Sequence, residues 1–170
     1  MPARRISSND PEVRIRRAAP SDLAALIELE NSVFTSDRMS ARQLRHHLRN
    51  ASAAVLVATR KREIAGSAVL FLHAGHHSAR LYSIAVSPRA RGAGVGKALL
   101  AAAERVAVEQ RRDLMRLEVR KENKAARTLY EHHGYRRFGT RKRYYEDGHD
   151  AERYEKTLAR RGAVPSRFKR

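Results

Sequence analysis

The residues best suited to chemistry lie in a glycine-rich turn, residues 91–96, which reads RGAGVG. An apolar run precedes this turn and a long stretch of helical periodicity follows it, so the pattern predicts a strand, a turn and a helix. The first turn of a helix presents unpaired backbone N–H groups and partial positive charge, and glycine lets an anion approach them closely. Arg89, Arg91 and Lys97 add positive charge nearby. The turn therefore predicts a site for phosphate groups.

The spacing of this turn excludes two common phosphate-binding loops. A P-loop needs glycine where Arg91 stands and Ser or Thr where Ala98 stands. A dinucleotide-binding fingerprint that starts at Gly92 needs glycine at the position of Lys97. The alternative that stays open is a glycine-rich connection that binds no ligand.

A second candidate group is Glu118, which interrupts an apolar strand predicted over residues 114–119. A carboxylate that is partly removed from water can accept a proton near neutral pH. Arg116 and Arg120 lie on the same face by two-residue alternation, so the pattern also fits a solvated, salt-bridged surface. Spacing alone leaves both interpretations open.

Other catalytic groups are scarce in this sequence. The eight histidines include pairs at 46–47, 76–77 and 132–133, but no carboxylate or cysteine keeps metal-ligand spacing with them. The chain has no cysteine, which excludes a thiolate metal site, a disulfide scaffold and a cysteine nucleophile. No serine lies in a nucleophile elbow. We therefore expect no metal and no covalent enzyme intermediate.

The elements that must position these residues form a mixed α/β pattern. Apolar or alternating runs predict strands at 13–16, 53–59, 64–72, 81–86, 114–119, 135–139 and 152–158, with a loop at 73–79. Helices are predicted to begin near residue 20, to span 40–48 and 94–110, and to run from a cap at Asn123 to Gly134. There is no internal repeat and no sign of a second domain.

This order of motifs resembles the GNAT family of acetyltransferases. The turn at 91–96 is similar to the Q/R-x-x-G-x-G/A motif of that family, which binds the pyrophosphate of acetyl-CoA. The series LEVR at 117–120, Asn123, LY at 129–130 and GY at 134–135 is similar to RimI-type enzymes, which acetylate the N-terminal alanine of a ribosomal protein. The pair Tyr144–Tyr145 and the later Asp150–Ala151 extend the likeness, which covers about residues 13–158.

The resemblance implies a single GNAT-like α/β domain with a mostly antiparallel sheet, a central parallel strand pair and flanking helices. It implies acetyl-CoA as co-substrate and direct acetyl transfer to an amine. The residues it implies in binding acetyl-CoA are Ile84, Ala85, Val86, Arg91, Gly92, Ala93, Gly94, Val95, Gly96, Lys97, Asn123 and Tyr130.

The family match favours Glu118 as the general base, and Tyr130 becomes the candidate acid that protonates the departing sulfur. The alternative for Tyr130 is a core aromatic on an amphipathic helix. Asn123 would hydrogen-bond the pantetheine arm, and backbone N–H groups near Val86 would polarise the thioester carbonyl.

The acceptor is less well specified than the acetyl donor. RimI-type enzymes usually carry a Pro-Trp-Ser stretch near the first helices, whereas this chain has no tryptophan and reads FTSDRMS at 34–40. An α-amino group, with a pKa near ~7.7–8.0, is already about one tenth neutral at pH 7, and lysine is far less so. We rank a protein N-terminus first, with a ribosomal protein among the candidate partners, then a protein lysine, then a small amine.

Composition sets broader limits on the whole chain. The 170 residues suit one domain at 13–158, with a flexible arm at 1–12 and a basic tail at 159–170. No apolar run is long enough to span a membrane and no signal peptide is evident, so a cytoplasmic protein is expected. The net charge of +18 permits non-specific contact with nucleic acid, and a basic ribosome- or RNA-associated module without turnover is the alternative class.

Overall fold

A computed structural model describes residues 12–159, and a seven-stranded sheet runs through this part of the chain. The strands are β1 (Arg14–Arg17), β2 (Ala53–Arg60), β3 (Glu63–Phe71), β4 (Ser78–Val86), β5 (Leu114–Arg120), β6 (Arg136–Arg141) and β7 (Ala151–Thr157). The helices are α1 (Leu23–Val33), α2 (Ala41–Arg49), α3 (Val95–Glu109) and α4 (Lys124–His132). The predicted arm at 1–12 and tail at 159–170 lie outside the described residues, except for residues 12 and 159.

The sheet has the order β1-β2-β3-β4-β5-β7-β6, and only β4 and β5 run parallel. Every other neighbouring pair is antiparallel. The predicted fold class, a mostly antiparallel sheet with one central parallel pair and flanking helices, is confirmed.

The core lies on both faces of the sheet, and β2 shows why. Its run AAVLVA is buried throughout, because successive side chains enter opposite layers. Leu56 joins the larger cluster with Leu99 of α3, whereas Val55 and Val57 join the second cluster with Leu44 of α2. The central strands are therefore covered by α3 on one face and by α1 and α2 on the other.

The parallel pair separates part of the way along its length. Residues Ser78–Leu81 pair with Leu114–Leu117, and beyond that point β4 continues to Val86 without a partner in β5. The other edge of β4 stays paired with β3 up to Val86. Tyr82 is an extra residue at this point, because Leu81 and Ser83 face the consecutive residues Leu70 and Val69. A gap therefore opens in the middle of the sheet.

The start of β4 predicted from the sequence is wrong. Residues 78 and 79 belong to β4 instead of the predicted loop at 73–79, because Ser78 and Ala79 pair with Leu114 and Met115. Pairing with a distant strand outweighs the weak local preference of this polar, histidine-rich segment. The predicted cap and end of α4 are confirmed, since Asn123 Oδ1 accepts the Ala126 N–H at 3.1 Å and Gly134 has φ +85°.

Candidate active site

A cleft of about 610 Å³ lies where β4 and β5 part. One wall comes from these two strands and from α4, and the opposite wall comes from the end of α1 and the loop that follows it. Its lining residues are Glu30, Val33, Phe34, Thr35, Ser36, Asp37, Met39, Leu81, Tyr82, Ser83, Ile84, Arg91, Glu118, Val119, Arg120, Asn123, Ala126, Tyr130, Tyr144 and Tyr145. The sequence-predicted residues Ile84, Arg91, Glu118, Asn123 and Tyr130 thus meet in one cavity.

The glycine turn lies at the same end of the sheet and begins α3. Gly94 is the N-cap with φ +78°, and Gly92 has φ +79°, a left-handed conformation that favours glycine. Within the described part of the chain no side chain caps the helix, so its first backbone N–H groups have no side-chain acceptor there. A Cβ added at Gly92 or Gly94 would meet no atom within 4 Å, which means that a ligand can approach the backbone there.

The other predicted residues of the turn have different surroundings. The Ala93 N–H already donates to the Ala90 carbonyl at 3.3 Å, and the Val95 side chain is buried in the core. Lys97 is exposed, and Gly96 lies against Leu129 and Val86. None of residues 92–97, and neither Ala85 nor Val86, lines the cleft itself. Any contact of these residues with a ligand would therefore be made outside the cleft, at the turn or at the backbone of β4.

Glu118 combines burial with ion pairing, so both sequence interpretations describe part of its environment. Its side chain is 8% exposed. Oε2 accepts a hydrogen bond from Arg80 Nε at 3.1 Å, while Oε1 lies 3.7 Å from Arg153 Nε and 4.0 Å from Arg141 Nε. Arg80 is on β4 and Arg153 is on β7, the two neighbours of β5, and Arg141 is on β6, the strand next to β7. The carboxylate is therefore fixed in the cleft wall by positive charge.

Tyr130 lies in the same wall, on α4. It is 7% exposed and packs edge-on against Tyr135, with ring centroids 5.7 Å apart. Burial raises the pKa of Tyr130, so the hydroxyl stays protonated and can act as a donor. Within residues 12–159 the hydroxyl has no hydrogen-bond partner, unlike that of Tyr135, which donates to Glu104 at 3.0 Å. Tyr130 thus combines a core aromatic ring with an unused donor.

A polar network that the sequence did not predict closes one side of the cleft. Arg120 donates to Asp37 Oδ2 at 2.7 Å, to Ser36 Oγ at 2.9 Å and to Asp147 Oδ2 at 2.8 Å, and its guanidinium lies 4.2 Å from the centroid of the Tyr145 ring. Asp37 Oδ1 in turn accepts the Glu146 N–H at 3.0 Å. The loop after α1 and the loop between β6 and β7 are thereby joined through the end of β5.

Glu30 is a second residue that sequence reasoning missed, because helical spacing placed it on the buried face of α1. It is 3% exposed and lines the cleft. Oε2 accepts the Met39 N–H at 3.1 Å, and Oε1 is buried without a hydrogen-bond partner among the residues that the structure describes. Burial raises the pKa of Glu30, against a smaller lowering by the Met39 hydrogen bond and the Arg38 charge. The sequence signal that could have identified Glu30 as a site residue was a charged residue at an apolar helical position.

Across positions 12 to 159, no three or more His, Cys, Asp or Glu side chains are grouped so that they could hold a metal ion. Over the same span, no helix has the length and apolar character needed to cross a membrane.

Comparison with known proteins agrees with this geometry. Residues 19–158 match the model of the Acetyltransferase (GNAT) domain. The chain is 31% identical over 138 residues to a Bacillus subtilis protein assigned as a [ribosomal protein bS18]-alanine N-acetyltransferase, covering 81% of this chain and 90% of that protein.

Two solved structures have a similar fold. The ribosomal-protein-S18-alanine N-acetyltransferase of Escherichia coli superposes with a TM-score of 0.79 at 24% identity, covering 93% of this chain and all (100%) of that one. A ribosomal-protein-alanine N-acetyltransferase from Brucella melitensis gives a TM-score of 0.75 at 26% identity, covering 85% and 99%.

Proposed function

Because the chain belongs to the GNAT acetyltransferase family, we propose that it transfers acetyl from acetyl-CoA to the α-amino group of a protein N-terminus. The observation that carries the proposal is the juxtaposition of three features at one end of the sheet. They are the unpaired stretch of β4, the uncapped glycine N-terminus of α3 and the carboxylate of Glu118.

The chain's own residues fit acetyl-CoA. The open space over Gly92 and Gly94, together with the free N–H groups of α3, suits a diphosphate, and Arg91 adds charge at the cleft. The unpaired edge of β4 beyond Leu81 offers backbone groups to an extended pantetheine arm, with Ile84 and Asn123 lining the same cleft. Acetyl-CoA supplies an activated thioester; the protein supplies binding, orientation and proton transfer.

Glu118 accepts the proton that the amine must lose. An α-amino group is mostly charged at pH 7, with about one tenth neutral, so a base adds rate without being indispensable. The three arginines hold the carboxylate in one orientation in the cleft wall. Glu118 therefore acts on the acceptor amine from the wall of the cleft.

Tyr130 donates its proton to the sulfur that leaves. Its hydroxyl is protonated and has no other partner within the described part of the chain. A thiol has a pKa near ~8.5, so the thiolate is a fair leaving group and this assistance contributes less than positioning does.

The acceptor assignment is supported by relatives that are named for ribosomal-protein alanine. A ribosomal acceptor implies a cytoplasmic enzyme. The walls that would face the acceptor are the loop after α1 and the loop between β6 and β7, which Arg120 joins. Protein lysine and small amines stay as alternative acceptors, since neither loop carries a motif that excludes them.

Mass spectrometry tests this assignment. The full chain and acetyl-CoA are incubated with peptides that carry a free α-amine and no lysine, and with N-terminally blocked peptides that carry one lysine. We expect acetylation of the first set, with alanine-initiated peptides fastest. Acetylation of the blocked lysine peptides alone would reject the N-terminal acceptor, and no product from either set would reject turnover on peptides.

A further inference from the structure

Three carboxylates line the cleft, namely Glu30, Asp37 and Glu118, and their partners differ. Both oxygens of Asp37 accept hydrogen bonds, from Arg120 and from the Glu146 N–H. Both oxygens of Glu118 face arginines at 4.0 Å or less. Oε1 of Glu30 alone among these six oxygens has no partner within the described chain.

An unpartnered oxygen of a buried carboxylate is costly. Removing a carboxylate from water without a compensating partner disfavours its charged form, and such groups persist where a ligand, an ion or a water completes them. Glu30 gains only one hydrogen bond, from Met39 at 3.1 Å, and the charge of Arg38 nearby. This side chain lines the cleft together with residues of the loop that follows α1.

We propose that Glu30 forms the subsite for the ammonium group of the acceptor, with Oε1 accepting a charge-assisted hydrogen bond from it. The inference rests on the proposed function and deepens it, because it names the residue that recognises the amine before transfer. A positively charged acceptor supplies the positive partner that the buried carboxylate lacks. Because the last torsion of a glutamate side chain is broad, Oε1 can reorient towards an amine bound in the cleft.

In this proposal two carboxylates have different tasks, one accepting the proton and the other binding the amine. Glu118 is held by arginines in the strand wall, which leaves it as the proton acceptor proposed above. Glu30 on α1 binds the amine while it is still charged. The class of acceptor that follows is a positively charged primary amine, and an acceptor without that charge loses its contact with Glu30.

Calorimetry on the CoA-loaded full chain tests the subsite without turnover. The probes are an alanine-initiated hexapeptide and the same peptide with propanoyl in place of the alanine, which removes only the amine. We expect the wild-type chain to bind the amine peptide about tenfold more tightly, as a hydrogen bond to a charged group provides. Equal affinity of the wild-type chain for the two peptides would overturn the proposal without any variant.

Two substitutions on α1 complete the design. In Glu30→Gln the remaining amide oxygen can still accept the Met39 N–H, so we expect the preference for the amine to vanish. The KM for the peptide should rise about tenfold, with kcat within about threefold of the wild-type value. Glu28→Gln changes an exposed carboxylate on the same helix and should alter neither. A preference that survives in Glu30→Gln would reject the subsite.

Acetylation of the hexapeptide by the wild-type chain is measured first and reports on the proposed function alone. Product together with a missing amine preference would reject only the Glu30 subsite. An amine preference without product would leave the subsite standing and reject the transfer.

Discussion

Glu118 and Glu155 offer matched carboxylates on the neighbouring strands β5 and β7. Glu155 pairs with Arg116 at 3.0 Å outside the cleft, whereas Glu118 lies within it. We expect Glu118→Gln to lower kcat about a hundredfold at pH 7, the low end for loss of a general base, and Glu155→Gln to change it little. The loss should shrink towards pH 9, where the α-amine has lost its proton unaided. An equal loss at both pH values would contradict the role as base.

Tyr130 and Tyr135 have rings in contact, and they allow the hydroxyl that we propose to be catalytic to be compared with a structural one. Removing the Tyr130 hydroxyl in Tyr130→Phe should lower kcat about tenfold and leave the free energy of unfolding nearly unchanged, because no hydrogen bond is lost. Tyr135→Phe loses the bond to Glu104 and should cost about 1 kcal/mol in unfolding with kcat preserved. Steady-state kinetics and denaturant titration measure the two effects, and the reverse pattern would reject the assignment of Tyr130.

Burial also fixes the pH range in which Tyr130 can act. Its pKa is raised, so the protonated, donating form persists above the ordinary tyrosine pKa of about 10. A falling rate between pH 8 and 10 in the wild-type enzyme would therefore come from another group. This follows from the position of the ring between α4 and the sheet, which no local sequence pattern determines.

At the scale of an element, the start of α3 can be tested with two glycines of equal geometry. Gly94 and Gly75 both have φ +78° and open space where a Cβ would lie, but Gly75 is in the loop before β4. Alanine at either position should cost about 1–2 kcal/mol of backbone strain. We expect only Gly94→Ala to weaken acetyl-CoA binding, by about tenfold, because its methyl group blocks the approach to the helix amides. Calorimetry with acetyl-CoA that gives equal affinity for both variants would reject the turn as the phosphate site.

Elements also show how far the sequence alone could be read. The order of strands and helices, the α4 cap at Asn123 and the glycine turn follow from local rules of periodicity and capping. The start of β4 at Ser78 and the extra residue Tyr82 depend on pairing with β3 and β5, which local sequence does not encode. The Arg120 network was equally hidden, because it joins residues more than eighty positions apart, such as Arg120 and Asp37.

At the scale of the whole molecule, three carboxylates have lowered pKa values because cations or hydrogen-bond donors lie beside them. The hydrogen bond from Arg16 lowers the pKa of Asp22. Desolvation opposes the shift at Asp147, yet hydrogen bonds from Arg120 and His149 lower its pKa to about 2. At Glu152 desolvation is likewise outweighed, by Arg137 and Thr140. Each contributes stability that is present above its unfolded pKa of about 4 and is lost as pH falls through the folded value.

Acid should therefore unfold this protein between about pH 4 and pH 2. The positive net charge of the chain adds to this loss of stability. Protonating carboxylates raises a net charge that is already +18, so repulsion between cations grows as the ion pairs disappear. We expect Asp147→Asn to lower the Tm at pH 7 and to flatten its dependence on pH below 4, because that variant has no proton to take up at this position. Glu122→Gln, at an exposed carboxylate in the turn before α4, should follow the wild-type curve.

Added salt should partly restore the Tm of all three proteins at pH 3 by screening repulsion, while the difference between Asp147→Asn and wild type persists. If the curves of Asp147→Asn and wild type instead ran parallel down to pH 2, the Arg120–Asp147 pair would contribute nothing to the pH dependence of stability.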